Sequence, residues 1–157
     1  MQVSDIFLRL GEDAFRDLLR SISIGKLKTY QLYEMVKARL RIQKLNTEAL
    51  RKVVPRSWER LGEHDDEFAG ELAQAILVSH LDMIVAILGF LQIPNEEGFF
   101  AKDMDANKLL TEGWQDRVYT HFHNQYPAAL LLFYINHLAV EVQHATELYQ
   151  PAAEPQA

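Results

Sequence analysis

Three residues near the end of the chain combine imidazole and carboxylate groups at helical spacing. His137, Glu141 and His144 are separated by four and three positions, which places their side chains on one face of an α-helix. His80 and His121 lie in two other apolar segments of helical period. If three helices direct these five side chains towards one interior, they form a site for zinc, iron or nickel, which bind such ligands. A metal site inside a helical bundle is therefore one hypothesis.

The same histidines also have a structural interpretation, which we favour. Histidines in helices commonly form hydrogen bonds in the core or at the surface, and His144 is at helical spacing from both Glu141 and Glu147. The Glu141-x-x-His144 spacing matches half of a di-iron carboxylate motif, but the chain has no second Glu-x-x-His. On this interpretation no cofactor is expected.

Motifs of the common enzyme classes are absent from the sequence. There is no glycine-rich phosphate loop, no Gly-x-Ser-x-Gly elbow and no His-Glu-x-x-His segment. The absence of cysteine excludes thiolate nucleophiles and thiolate metal sites. These observations favour a protein that is not an enzyme.

Helical periodicity extends through almost the whole chain. Apolar residues recur every three or four positions, no segment alternates like a strand, and the 5 prolines and 7 glycines fall mostly between apolar runs. The pattern predicts an all-α, single-domain bundle of about seven helices within residues 1–150. The short helices are expected in the N-terminal third and three long helices in the C-terminal part, followed by a disordered tail at 151–157.

Caps, glycines and prolines predict the helix boundaries. Phe99 and Phe100, in the predicted loop 94–103, are expected to pack against the bundle. The predicted helices cover approximately residues 4–25, 29–41, 47–54, 55–62, 65–92, 105–123 and 127–149.

Charge is distributed unevenly along the chain. Residues 1–60 hold 13 Lys or Arg against 7 Asp or Glu, whereas residues 61–157 hold 3 against 15. We therefore divide the domain into a basic part, 1–62, and an acidic bundle, 63–150. The basic helices 29–41 and 47–54 allow a nucleic-acid-associated regulator as an alternative function. Pro55 interrupts the would-be recognition helix and the net charge of −6 at pH 7 repels phosphate, so we do not expect nucleic acid as a partner.

The longest apolar segment, 72–93, is interrupted by Gln74, His80 and Asp82, which favours a buried helix over a membrane span. No cationic stretch precedes an apolar one at the N-terminus. The sequence thus predicts a cytoplasmic protein that does not enter a membrane.

Segment 128–140 is apolar on nearly all sides and must be enclosed by other helices. We expect a second copy to help enclose it, which predicts a homodimer acting in protein interaction, as a scaffold or in regulation, with a further protein partner allowed. The alternative is a metal-dependent or small-ligand-binding bundle enzyme that uses His80, His121, His137, Glu141 and His144.

Overall fold

The chain folds into helices joined by short turns. The computed structural model describes residues 1–22, 47–100 and 105–152, with only the backbone described for 47–53. Within these ranges there are eight helices and one two-stranded antiparallel hairpin, so the all-α prediction is confirmed. The elements are α1 (Val3–Leu10), α2 (Glu12–Ser21), α3 (Thr47–Gly62), α4 (Asp66–Val78), α5 (Leu81–Phe90), β1 (Asn95–Glu96), β2 (Phe99–Phe100), α6 (Ala106–Leu109), α7 (Trp114–Phe122) and α8 (Ala128–Gln143).

Helix α8 occupies the centre of the core. Its residues from 133 to 139 are all buried, and α1, α2, α6 and α7 pack around it. Phe133 stacks on Phe7 of α1 with 4.9 Å between ring centroids, and Phe7 meets Phe15 of α2 edge to face at 5.7 Å. The apolar run that predicted a long central helix is therefore covered by other helices of the same chain.

The predicted first helix is two helices. Gly11 has a φ of 99°, which helical backbone does not adopt, and it separates α1 from α2. Helix α1 begins at Val3 with Gln2 as its N-cap, and the backbone N–H of Gln2 donates to Asp5 Oδ2 at 2.8 Å. Ser4 is buried, and its hydroxyl donates to Asp66 Oδ1 at 3.0 Å, which links α1 to α4.

The predicted break at Pro55 is wrong, because α3 continues through it from Thr47 to Gly62. A proline inside a helix removes a backbone hydrogen bond and costs about 3 kcal/mol. Here the proline is exposed, whereas Val54, Ser57 and Leu61 form a continuous buried face across it. Burial of that face offsets the lost hydrogen bond.

Replacing Ser57 with alanine is expected to raise the free energy of unfolding by about 1–2 kcal/mol, because a buried polar group without a partner destabilises the fold. The Ser57 hydroxyl is buried and has no hydrogen-bond partner among the described residues. Urea denaturation checks the gain. Ser79→Ala is the control, since Ser79 Oγ donates to the Ala75 carbonyl at 2.7 Å, and it should not stabilise the protein. A Ser57→Ala variant less stable than the parent would contradict the prediction.

The predicted helix 65–92 is also two helices, α4 and α5, whose axes differ by 80°. Asp65 is the N-cap of α4, and its carboxylate accepts the Phe68 N–H at 3.0 Å. The break falls at Ser79 and His80. The hydroxyl of Ser79 bonds back to the carbonyl four residues earlier, an arrangement that bends helices. Of the described helices, none is by itself long and apolar enough to cross a membrane; α4 and α5 meet that test only as a bent pair.

The last two predicted helices are shorter than expected. Gly113, with φ of 79°, separates α6 from α7, so 105–123 is not one helix. Helix α8 ends at Gln143 because His144 adopts the left-handed conformation, with φ of 52°. The following segment turns back, and Tyr149 pairs with the side chain of Asn136. The predicted helix 29–41 and most of the predicted tail lie outside the described residues.

Candidate functional site

One face of α8 borders a cleft beside the bend between α4 and α5. Tyr134, His137 and Glu141 follow one another at offsets of three and four, so they lie on that face. The cleft has a volume of about 120 Å³. Its other lining residues come from α4, α5, the hairpin and α8: Gln74, Leu77, Val78, Leu81, Ile84, Gly98, Phe99, Phe100 and Leu138. The cleft thus combines three polar side chains of α8 with largely apolar walls.

The hairpin forms one side of the cleft, and Gly98 brings it close to α5. Gly98 has a φ of 94°, and a Cβ at this position would lie 3.3 Å from side-chain atoms of both Leu81 and Ile84. Its N–H donates to Asn95 Oδ1 at 3.0 Å, which fixes the turn. Only glycine satisfies both the backbone conformation and the close approach.

The two phenylalanines after the turn remain partly in solvent. Phe99 is 58% exposed and Phe100 is 36% exposed, so the packing of these rings against the bundle is partial. Both rings line the cleft.

His137 and Glu141 form the pair at the centre of the polar face. His137 is buried, whereas the side chain of Glu141 is 60% exposed, and Nδ1 of the imidazole lies 3.5 Å from Glu141 Oε2. Burial lowers the pKa of His137, and the Glu141 carboxylate opposes that shift. Burial therefore favours a neutral imidazole, and the nearby carboxylate favours the tautomer with its proton on Nδ1. In that tautomer Nε2 is a hydrogen-bond acceptor.

Tyr134 supplies a hydroxyl that keeps its proton. Burial raises the pKa of Tyr134, and the negative charge of Glu141 raises it further. The phenol therefore remains neutral at physiological pH and can donate or accept a hydrogen bond. Tyr134 was not singled out by sequence analysis, although its offset of three from His137 was the signal that could have found it.

The other three predicted ligands lie elsewhere. His80 is at the bend, where its Nε2 is buried without a partner among the described residues and burial lowers its pKa. His121 is exposed, and its ring stacks on Phe90 at 4.5 Å. His144 is exposed beyond the end of α8.

Of the five residues predicted as metal ligands, the structure brings together His137 and Glu141. In the described part of the chain, no three His, Asp or Glu side chains are grouped so that they could hold a metal ion. The helix breaks at positions 79–80 and 144 explain why His80 and His144 do not join the pair: neither occupies the helical position on which the prediction rested.

Comparison with known proteins adds no assignment: no family model matches the chain, and neither a curated protein nor a solved structure matches it.

Acidification from about pH 7.5 to pH 5.5 is expected to reduce stability through His80 and His137. Both have a pKa lowered from the ordinary value of 6.5. Below pH 6.5 these two histidines bind protons in the unfolded chain that they do not bind in the folded chain. The stability that they contribute is therefore complete above pH 6.5 and is lost as the pH falls through their folded-state pKa values. Glu141 and Tyr134 border His137, whereas Asp82 and Tyr126 border His80.

Urea unfolding midpoints across this pH range check the effect. The double variant His80→Gln, His137→Gln should lose less stability on acidification than the parent, whereas the control His64→Gln, at an exposed position, should retain the parental slope. Equal slopes for the double variant and the parent would contradict the assignment.

Proposed function

We propose that this chain binds a small ligand in the cleft between α8, the hairpin and the α4–α5 bend. The single observation that carries the proposal is the position of His137, a buried imidazole that lines the cleft beside a carboxylate 3.5 Å away. Sites for small molecules have this composition: mostly apolar walls with a few convergent polar groups. Tyr134, His137 and Glu141 would orient the ligand, and the apolar walls would bury its body.

The volume of the cleft limits the size of the ligand. Sites for drug-sized molecules and cofactors usually enclose roughly 300–1,000 Å³, whereas an apolar cavity of about 150 Å³ accommodates benzene. A cleft of about 120 Å³ therefore suits one small ring or a short branched chain. Nucleotides and larger cofactors do not fit without a change in the hairpin.

This proposal develops the small-ligand alternative rather than the predicted scaffold. The homodimer was expected because the apolar helix at 128–140 needed cover, and α1, α2, α6 and α7 provide that cover within one chain. The homodimer therefore remains a prediction without support from this helix. A protein partner and a cytoplasmic location also remain predictions. The nucleic-acid alternative depends largely on residues 29–41, outside the described ranges.

Titration of isotope-labelled protein with small neutral, cationic and anionic molecules, followed by nuclear magnetic resonance, tests the proposal. At least one class should shift the resonances of Tyr134, His137 and Leu138 in a saturable manner. Leu77→Trp should abolish those shifts, because Leu77 lines the cleft and a larger ring would fill it.

Val85→Trp is the matched control, since Val85 is 42% exposed on α5 and does not line the cleft. It should bind like the parent. The absence of saturable shifts with all three classes, or unchanged binding by Leu77→Trp, would overturn the proposal.

A further inference from the structure

The charge of the cleft indicates which ligands it accepts. We infer that it selects a small alkylammonium ion, an inference that rests on the ligand-binding function proposed above. Glu141 supplies the only formal charge among the lining residues, and no Lys or Arg lines the cleft in the described part of the chain. An anion would be repelled by this carboxylate and by the net charge of −6 at pH 7. A cation would be attracted by both.

Glu141 has no permanent cation beside it within the described ranges. Its ion-pair contact there is His137, at 3.5 Å, and burial favours the uncharged form of that imidazole. Among the described residues that line the cleft, the carboxylate therefore has no permanent positive charge to balance it. An ammonium group bound there would balance it and gain a charge-assisted hydrogen bond.

The remaining polar groups of the cleft also suit a hydrogen-bond donor. The Nε2 atom of His137 accepts in the tautomer favoured by Glu141, the phenol oxygen of Tyr134 accepts, and Gln74 contributes an amide oxygen. An ammonium group has three donors and can donate to all three of these acceptors, whereas a hydroxyl has one donor and a carboxylate has none.

The walls fit the body of such an ion. Leu77, Leu81 and Ile84 provide an aliphatic surface for an alkyl group. Phe99 and Phe100 add aromatic rings at the same cleft, and aromatic faces attract cations within about 6 Å. The site therefore pairs apolar burial with recognition of one positive charge.

Calorimetric titration with cyclopentylamine, cyclopentanol and cyclopentanecarboxylate separates charge from shape, because the three probes share one ring. The amine should bind at least about tenfold more tightly than the alcohol, which corresponds to about 1.4 kcal/mol. The carboxylate should show no binding.

Two variants test whether the Glu141 carboxylate causes the preference for the amine over the alcohol. Glu141→Gln should weaken amine binding by about tenfold and leave alcohol binding unchanged, since it removes the charge and retains the shape. Glu147→Gln, the control, removes an exposed carboxylate that does not line the cleft, so amine binding should be unchanged. Equal losses in the two variants would overturn the inference by showing that only overall charge matters.

The remaining outcomes separate this inference from the proposed function. If the alcohol or the carboxylate binds at least as tightly as the amine, the cleft is a ligand site but the ammonium inference fails. If no probe binds and no class of molecule shifts the cleft resonances, the ligand-binding function itself fails.

A further titration identifies the source of the ammonium group. Nα-acetyl-lysine methylamide carries it on a peptide side chain. Weaker binding than cyclopentylamine supports a free amine as the ligand, whereas tighter binding assigns the site to a lysine side chain of a peptide.

Discussion

Replacing Phe133 with alanine is expected to lower the free energy of unfolding by about 3–5 kcal/mol, as other large-to-small substitutions of buried phenylalanine do. Phe133 is fully buried at the centre of α8 and stacks on Phe7. Its removal leaves a cavity where α1 and α8 meet, and the surrounding helices can collapse into it only in part. Urea denaturation followed by circular dichroism measures the loss.

Phe99→Ala is the matched control for this measurement. Phe99 is 58% exposed, so the same substitution there should cost less than about 1 kcal/mol. A loss at Phe133 no larger than the loss at Phe99 would contradict the central position of α8.

Replacing Asn136 with alanine is expected to cost about 2–4 kcal/mol, because three hydrogen bonds to a buried side chain are lost together. Asn136 Nδ2 donates to the carbonyls of Leu132 at 2.9 Å and Tyr149 at 3.2 Å, and Oδ1 accepts the Tyr149 N–H at 2.7 Å. The substitution should also release residues 144–152 from α8. Chemical denaturation measures the loss of stability, and faster hydrogen exchange at the Tyr149 amide reports the release.

Tyr149→Phe provides the comparison. It removes the hydroxyl that donates to Asp116 Oδ1 at 2.6 Å but keeps both backbone bonds to Asn136. The expected cost is about 0.5–1.5 kcal/mol, with slow exchange at the amide retained. If the two variants lose equal stability, the Asn136 side chain does not hold the segment.

Much of the fold could be predicted from apolar periodicity, but the positions of the breaks could not. A run with helical spacing looks the same whether the helix continues or bends, because both arrangements bury the same residues. Pro55 is inside a helix, whereas Ser79 and His80 interrupt one. At Pro55 the burial of a continuous face outweighs the local preference of the residue, whereas the bend at Ser79 accompanies a local bond from its hydroxyl to the Ala75 carbonyl.

The candidate site could be predicted only in part, because periodicity places residues within one helix but does not place separate helices relative to one another. His137 and Glu141 lie within one regular helix, so their spacing of four was sufficient to place them together. His80 and His121 depend on how separate helices are rotated and positioned, which periodicity does not encode. The hairpin, whose four strand residues include Phe99 and Phe100, is too short to leave an alternating pattern.

The stack between Phe7 and Phe133 joins the first and last helices of the described structure. It therefore closes a loop that contains every other described helix, and the entropy of that closure must be overcome before the contact contributes stability. During synthesis on a ribosome, α1 is made long before α8 and has no central helix to cover it. We expect the complete core to form late, with the Phe7 face of α1 uncovered until α8 has emerged.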